Sequence, residues 1–503
     1  MKPTISFVSL GCVKNLVDSE KMLGLLAEAG CPIVGDDAGR ADVMVVNTCG
    51  FLAAARDEAL DVLREAARQK RKGRIKRLVV AGCLVQRDGQ KLIEEVPEID
   101  ALVGVNNRRD IVRAVMRKRQ KVKTLKRQNV ETSKCQNAKT PGSRKPKAES
   151  RNAELSKPRS EVDVDTAEGA LFLGEYHSAS WIGANRSDRV RLRLTPAHYA
   201  YLRVSEGCNH NCTFCTIPAI RGPMHSKPID EILAEARELI EDGAVELILI
   251  GQDTTGYGVD IGYKPGLAGL LRELNALDGA EWIRLMYAYP STFTDEMINA
   301  IAECERVVKY VDIPLQHIND RILKAMVRRV TRRETETLLG KLRDRIPEVA
   351  VRTTLIVGFP GETDDEFEEL RHYVRDYGFD AMGVFPYSNE PDTPAYRMSE
   401  QLPPDVIEAR VEALMLTQQE IAFRQAVSRV GDEFRVLIDN SDSSGIYPAR
   451  HAGQAPEVDG IVHVQSGTHD PGDFVTVRCT ASQDYDLIAR PVGSAESVPQ
   501  AGQ

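Results

Sequence analysis

Cys208-Asn209-His210-Asn211-Cys212-Thr213-Phe214-Cys215 follows directly on the apolar run Tyr201-Leu202-Arg203-Val204. Three cysteines thus sit in one short loop at the end of a predicted strand. Cysteine thiolates are the usual protein ligands of iron–sulfur clusters. Their tight spacing lets a single loop wrap three irons of a cubane. No fourth cysteine lies nearby, which leaves one iron open for a substrate or cofactor. The competing reading is zinc. A structural zinc site takes four protein ligands, normally in paired spacings. His210 would be the fourth, but it lies between two ligands of the same loop.

Outward from this loop, strand and helix patterns alternate over residues 190–424. Apolar runs recur at Leu247-Ile248-Leu249-Ile250, Ile283-Arg284-Leu285-Met286, Tyr310-Val311-Asp312-Ile313, Thr354-Leu355-Ile356-Val357 and Ala381-Met382-Gly383-Val384-Phe385. With the strand before the loop they predict a partial (β/α) barrel over 189–425, with its chemistry at the C-terminal strand ends. By position, Gln252, Asp253, Gln316, His317 and Arg352 are candidates to touch a cofactor or substrate there. Each could equally be a satisfied structural group. Gly358 could let backbone approach a cofactor, or form a plain turn. Beyond residue 426 only short strands remain, around Phe434–Ile438, 460–464 and 474–477. They predict a small antiparallel β-barrel over 426–495, with a disordered tail at 496–503.

The first 116 residues also alternate, which predicts an α/β, doubly wound parallel sheet. Three of its apolar strands end at Gly11-Cys12, at Asn47-Thr48-Cys49 and at Gly82-Cys83. Right-handed crossovers place all strand C-termini of such a sheet along one edge. Taken singly, each cysteine reads as a small buried hydrophobe. Their shared topological position instead predicts a second cluster on Cys12, Cys49 and Cys83. Cys31, Cys304 and Cys479 lack that placement and read as structural, and Cys135 reads as a bystander.

Between these units, residues 117–159 hold fifteen Lys and Arg, three Glu, no Asp and no aromatic residue. Such a stretch buries too little apolar surface to offset its ordering entropy. It predicts a basic, disordered insert over 117–188, either a solvated linker or a tether to an acidic surface. The chain of 503 residues has a formal net charge of −8, so no global cationic field points to nucleic acid. Contact with nucleic acid is expected only through the insert. Met1 leads straight into a strand pattern rather than a signal peptide, and no run approaches the ~18 apolar residues of a membrane span. A cytoplasmic, reducing location follows. There the ten cysteines serve as ligands or buried thiols rather than disulfides.

The loop spacing, with an aromatic residue before its third cysteine, resembles the radical S-adenosylmethionine superfamily. That resemblance implies a 4Fe–4S cluster on Cys208, Cys212 and Cys215, with S-adenosyl-L-methionine chelated at the open iron. Phe214 would help position its adenosyl part, although core packing suits an aromatic there equally well. The whole arrangement resembles the methylthiotransferase family, with a C-terminal barrel similar to the TRAM module. Within that family the chain is most similar to the branch acting on a ribosomal protein. The text that carries this is Ser9-Leu10-Gly11-Cys12-Val13-Lys14-Asn15, Asp18-Ser19-Glu20, Glu206-Gly207-Cys208-Asn209-His210 and Arg221-Gly222. It continues in Asp312-Ile313-Pro314-Leu315-Gln316-His317, Gly358-Phe359-Pro360-Gly361-Glu362-Thr363 and Ala455-Pro456-Glu457-Val458-Asp459-Gly460. The tRNA-modifying branch typically has glutamine and arginine where this chain has Val13 and Glu206. The departures are the long insert and Lys227, where arginine is usual.

The resemblance implies two 4Fe–4S clusters and two molecules of S-adenosyl-L-methionine, one a methyl donor and one a radical source. It implies sulfur held on the auxiliary cluster, and a methylthio group placed on the β-carbon of an aspartate in ribosomal protein uS12. An electron donor and a sulfur donor are required partners. Residues 429–490 carry five Arg, no Lys and ten acidic residues. Such a barrel suits a basic protein better than RNA phosphate, although the acidity could serve solubility alone. The alternatives are methylthiolation of a tRNA adenosine and a zinc-stabilised nucleic-acid-binding protein without catalysis.

Overall fold

Runs such as Val43–Val46 and Leu78–Ala81 are buried on both faces, the signature of parallel strands covered by helices on each side. In the computed structural model, which describes residues 2–35, 40–116, 162–166, 169–173, 186–441 and 444–493, they form the first of three sheets. Its strands are β1 (Ile5–Ser9), β2 (Ile33–Val34), β3 (Ala41–Thr48), β4 (Ile75–Gly82), β5 (Ala101–Gly104), β6 (Val162–Thr166) and β7 (Gly169–Leu173). Their order is β2-β1-β3-β4-β5-β7-β6, parallel but for the last pair. Met22 and Leu26 of helix Val13–Glu28 cover one face, and Leu63 and Ala66 of helix Ala53–Arg71 the other. The sheet is doubly wound, as expected.

The insert differs from expectation at its C-terminal end. Residues 117–161 lie outside the described residues. Beyond them β6 and β7 form a hairpin, and β7 pairs in parallel with β5. The apolar run Gly169–Leu173 supplies that strand, and the strongly basic stretch before it drew the expectation too far. Asp188, the last residue assigned to the insert, is fully buried.

The second sheet comprises β8 (Tyr199–Arg203), β11 (Glu246–Ile250), β12 (Trp282–Leu285), β13 (Val307–Asp312), β14 (Ala350–Val357) and β15 (Ala381–Pro386), all parallel and in that order. It does not close, so it is a partial barrel. The short pair β9 (Ser205–Glu206) and β10 (His225–Ser226) flanks the cysteine loop. The third sheet is a closed barrel of β16 (Glu433–Ile438), β17 (Ile446–His451), β18 (Val462–Gln465), β19 (Phe474–Gln483) and β20 (Asp486–Pro491). Its pairs are antiparallel except β18 with β20, so the small β-barrel forms as expected with one parallel pair. The hairpin joining β19 to β20 turns β20 back alongside β18.

Helix Val13–Glu28 locks the units together. It buries Lys14, Asn15, Asp18, Ser19 and Glu20, a polar face. Its Val17 packs in one cluster with Tyr201, Ile248 and Tyr310 of the partial barrel and with Leu437 and Ala455 of the C-terminal barrel. From that barrel Arg450 reaches Glu246 at 2.8 Å, and Arg284 holds the same carboxylate at 2.7 Å. No helix among the described residues is long and apolar enough to cross a membrane.

Candidate cluster-binding site

Cys12, Cys49 and Cys83 follow β1, β3 and β4, which are hydrogen-bonded neighbours. The chain turns sharply before two of them. Gly11 (φ +91°) and Gly82 (φ +102°) adopt left-handed conformations, which side chains rarely tolerate. A Cβ on Gly11 would lie 2.7 Å from the Cys49 Cβ, and one on Gly82 would lie 2.4 Å from Asn47 Oδ1. Gly50 lies against the Cys83 backbone in the same way, where a Cβ would stand 2.8 Å from its carbonyl carbon. The strand ends therefore touch, and the three cysteines share one edge. Cys12 is the N-cap of helix Val13–Glu28, and Cys83 opens helix Cys83–Asp88. Helix N-termini favour negative charge, so thiolates or an anionic cluster are favoured there.

Burial pushes the Cys83 thiol up to about 12, against the pull of Arg221, and raises Cys49 as well. In the loop after β8, burial takes Cys208 up to about 11 and Cys215 up to about 12. Such thiols ligate only as thiolates, so the bound metal must supply the compensating positive charge. Both donor sets fit an iron–sulfur cubane: three thiolates, with no fourth cysteine among the described residues beside either set. A single zinc would gather its sulfurs at about 2.3 Å from one point. Among the described residues no three His, Cys, Asp or Glu side chains are grouped to hold one ion.

His210 is committed elsewhere. Its ring stacks on Tyr289 with centroids 3.6 Å apart, and its Nε2 lies 2.7 Å from Asp253 Oδ2. The loop itself is pinned: the Thr213 N–H donates to the Met326 carbonyl and the Thr213 hydroxyl to the Ala325 carbonyl. Arg328 lies over the Tyr289 ring and extends to 4.0 Å from the Cys212 sulfur.

A buried ionic network joins the two cysteine sets. Asp18 meets Arg203 at 2.6 Å, Arg221 at 3.0 Å and Arg108 at 3.1 Å. Glu206 meets Arg203 at 2.6 Å and Arg221 at 2.9 Å. Despite burial, Arg221 and Arg203 hold the Glu206 carboxyl down to about 2. Asp188 binds Arg203 at 2.6 Å and Lys227 at 2.7 Å, and Lys227 also binds Glu235. Lys227 is therefore a buried structural cation. Beside this network Lys14 is buried with its ammonium 2.8 Å from the Tyr287 ring centroid. Burial lowers its pKa to about 8, while Cys12 and Asp312 act to raise it.

The remaining candidates divide. Gln252 donates to Glu206 at 2.7 Å, so it belongs to the network. Asp253 accepts from Thr255 and Gly256 besides facing His210, which makes it a support for the cysteine loop. Gln316 pairs through its backbone with Thr354 and Ile356 and takes φ +74°. Arg352 binds Asp312 at 2.9 Å and Asp459 of the C-terminal barrel at 3.3 Å, which makes it an interdomain strut. The Gly358 N–H is taken by Glu362. Phe214 packs against a small core containing Phe359 and Tyr387.

A radical S-adenosylmethionine superfamily profile matches residues 202–374, the uncharacterized protein family UPF0004 matches 4–104, and a TRAM domain matches 430–492. The chain is 39% identical over 494 residues to the ribosomal protein uS12 methylthiotransferase RimO of Geotalea uraniireducens, covering 98% of this chain and 99% of that protein. It is 41% identical over 486 residues to the RimO of Anaeromyxobacter sp. (strain K), covering 96% and 92%. This chain belongs to the RimO methylthiotransferase family. The RimO-family fold also resembles the radical S-adenosylmethionine methyltransferase TsrM from Kitasatospora setae. The TM-score is 0.51 at 15% identity, over 78% of this chain and 77% of that one.

For this RimO-family chain, sequence reasoning missed the bridge between the cysteine sets. Lys14, Asp18, Glu206 and Arg221 appeared only as stretches of resembling text. One signal was available. Lys14, Asp18 and Glu20 stand on a helix that must pack against something, and charges there need partners.

Proposed function

We propose that this RimO-family enzyme places a methylthio group on ribosomal protein uS12, at the β-carbon of an aspartate. The observation that carries this reading is the convergence of Cys12, Cys49 and Cys83 on one sheet edge, joined through Arg221 to the loop of Cys208, Cys212 and Cys215. The first set would hold the auxiliary 4Fe–4S cluster, and the second the cluster that chelates S-adenosyl-L-methionine. When bound, these groups supply an adenosyl radical and a transferable methylthio sulfur.

The chain's own residues supply the rest. The Asp18–Arg203–Arg221–Glu206 network holds the sheet edge and the cysteine loop in one geometry. Helix Val13–Glu28 packs Val17 against Tyr201, Ile248 and Tyr310 of the partial barrel. Phe214 would flank the bound cofactor, while Gln252, Asp253, Arg352 and Gly358 support the walls. The acidic C-terminal barrel favours a basic partner. Part of that acidity is spent internally: Asp439 on Arg450, Glu457 on Tyr199 and Asp459 on Tyr310. An electron donor and a sulfur donor complete the reaction, in the cytoplasm.

The test is mass spectrometry of uS12 and of tRNA from a deletion strain. The reading expects uS12 to lose a methylthio group while tRNA keeps its own. Loss from tRNA alone would reject it.

A further inference from the structure

Among the described residues, one largely buried cation in this site has no ion-paired carboxylate. Lys14 is 8% exposed. Among the described residues its ammonium makes no ion pair, and its close contact is the face of Tyr287. A cation–π contact offsets the desolvation of an ammonium only in part. The carboxylates around it are already spent. Asp312 holds Arg352 at 2.9 Å and accepts the Tyr287 N–H at 2.9 Å. Glu206 and Asp18 are shared among Arg203, Arg221 and Arg108.

The position of Lys14 is equally specific. It stands two residues past Cys12, where its helix meets the C-terminal strand ends of the barrel at Tyr287 and Asp312. Tyr287 takes φ +62°, a strained conformation for an aromatic residue. Its backbone is held by the bond to Asp312 and by the Thr254 hydroxyl, which donates to the Tyr287 carbonyl at 3.1 Å. The fold thus invests strain in keeping that ring under the ammonium.

Building on the proposed function, we infer that Lys14 binds the side-chain carboxylate of the substrate aspartate. The carboxylate carbon is bonded directly to the reacting β-carbon. An ion pair at Lys14 therefore holds that carbon beside Cys12, between the two cysteine sets. The same ammonium discriminates against a neutral asparagine at the target position, because desolvating a cation against a neutral amide leaves its charge uncompensated.

The experiment uses the full-length, anaerobically reconstituted enzyme and a peptide spanning the modified segment of uS12, with Asp or Asn at the target. Peptide binding is read by fluorescence anisotropy, modification by mass spectrometry, and the auxiliary cluster by electron paramagnetic resonance. Lys14→Met should weaken binding of the Asp peptide by about 10- to 100-fold and bring the Asp/Asn binding ratio close to one. Lys14→Arg should recover part of the ratio, and serves if the methionine variant loads poorly. A wild-type Asp/Asn ratio in both variants would overturn the assignment. A changed cluster spectrum with an unchanged ratio would instead make Lys14 a cluster-tuning residue. If the wild-type enzyme modifies neither the peptide nor intact uS12, the functional reading itself fails and this assignment falls with it.

Discussion

Arg221 donates across 3.2 Å to the sulfur of Cys83. The donor closes a short helix, Ile217–Arg221, that follows the Cys208–Cys215 loop. The acceptor opens a helix at the edge of the N-terminal sheet. One guanidinium thus touches one cysteine set while standing on the loop of the other. It also binds Asp18 and Glu206, so position and charge balance rest on the same side chain.

Arg221→Met should therefore be costly. It strips Asp18 and Glu206 of a buried partner, and breaking such a pair costs about 3–5 kcal/mol. Urea unfolding of the apoprotein measures this directly. Arg221→Lys should recover only part, because one ammonium lacks the planar fork whose two nitrogens serve Glu206 on one side and Asp18 with the Cys83 sulfur on the other. A loss under about 1 kcal/mol, the scale of a surface pair, would mean the network is not what joins the domains.

Gly11→Ala should uncouple the two cysteine sets. The new Cβ lies 2.7 Å from the Cys49 Cβ at φ +91°, so the β1 end must move away from β3. Iron analysis after reconstitution should fall from about eight to about four per chain, with the radical-type cluster kept. Full iron content in this variant would show that the edge tolerates displacement.

The Cys12→Ala, Cys49→Ala, Cys83→Ala triple variant should still release 5′-deoxyadenosine from S-adenosyl-L-methionine but insert no sulfur. Chromatography of the small-molecule products and mass spectrometry of uS12 read the two halves separately. Loss of both activities in a folded, iron-containing variant would contradict separate roles.

His451 should make the domain junction acid-sensitive. Burial and the positive charges of Arg429, Arg284 and Arg450 lower its pKa from the usual 6.5 to about 3. Its Nδ1 accepts the Gly453 N–H at 3.0 Å, which requires that nitrogen unprotonated. Between pH 6.5 and about 3 the unfolded chain takes a proton that the folded chain refuses. Stability therefore falls as pH drops through that window, by up to about 1.4 kcal/mol per pH unit for one proton. His451→Asn keeps an acceptor near Nδ1 and removes the titration. Its unfolding free energy against pH should run flatter than wild type by that slope, and parallel curves would dismiss the effect.

The legible parts of the fold were those written in local patterns. Apolar runs ending at cysteines announced the strand ends of β1, β3 and β4, and the β7 strand was hidden only because basic residues before it dominated the composition. Arg352 was less accessible. It stands just ahead of the apolar run Thr354–Val357, and nothing local foretold its ion pair with Asp459 of another domain. Asp188 and Lys227 were likewise opaque, since a buried ion pair between residues far apart in sequence leaves no periodicity behind.

The sequence alone determined two sets of three cysteines and their place at strand ends, because strand length, glycine turns and cysteine spacing are local. The edge that gathers Cys12, Cys49 and Cys83 followed from the topology of parallel strands. The inward turn of the polar face of helix Val13–Glu28 came from the docking of the domains. The charges of Lys14, Asp18 and Glu20 find their partners in Arg191, Arg203, Arg221 and the Tyr287 ring of a second domain. Charge burial of that kind is settled by partners brought from far along the chain, and those partners exist only once the domains have docked.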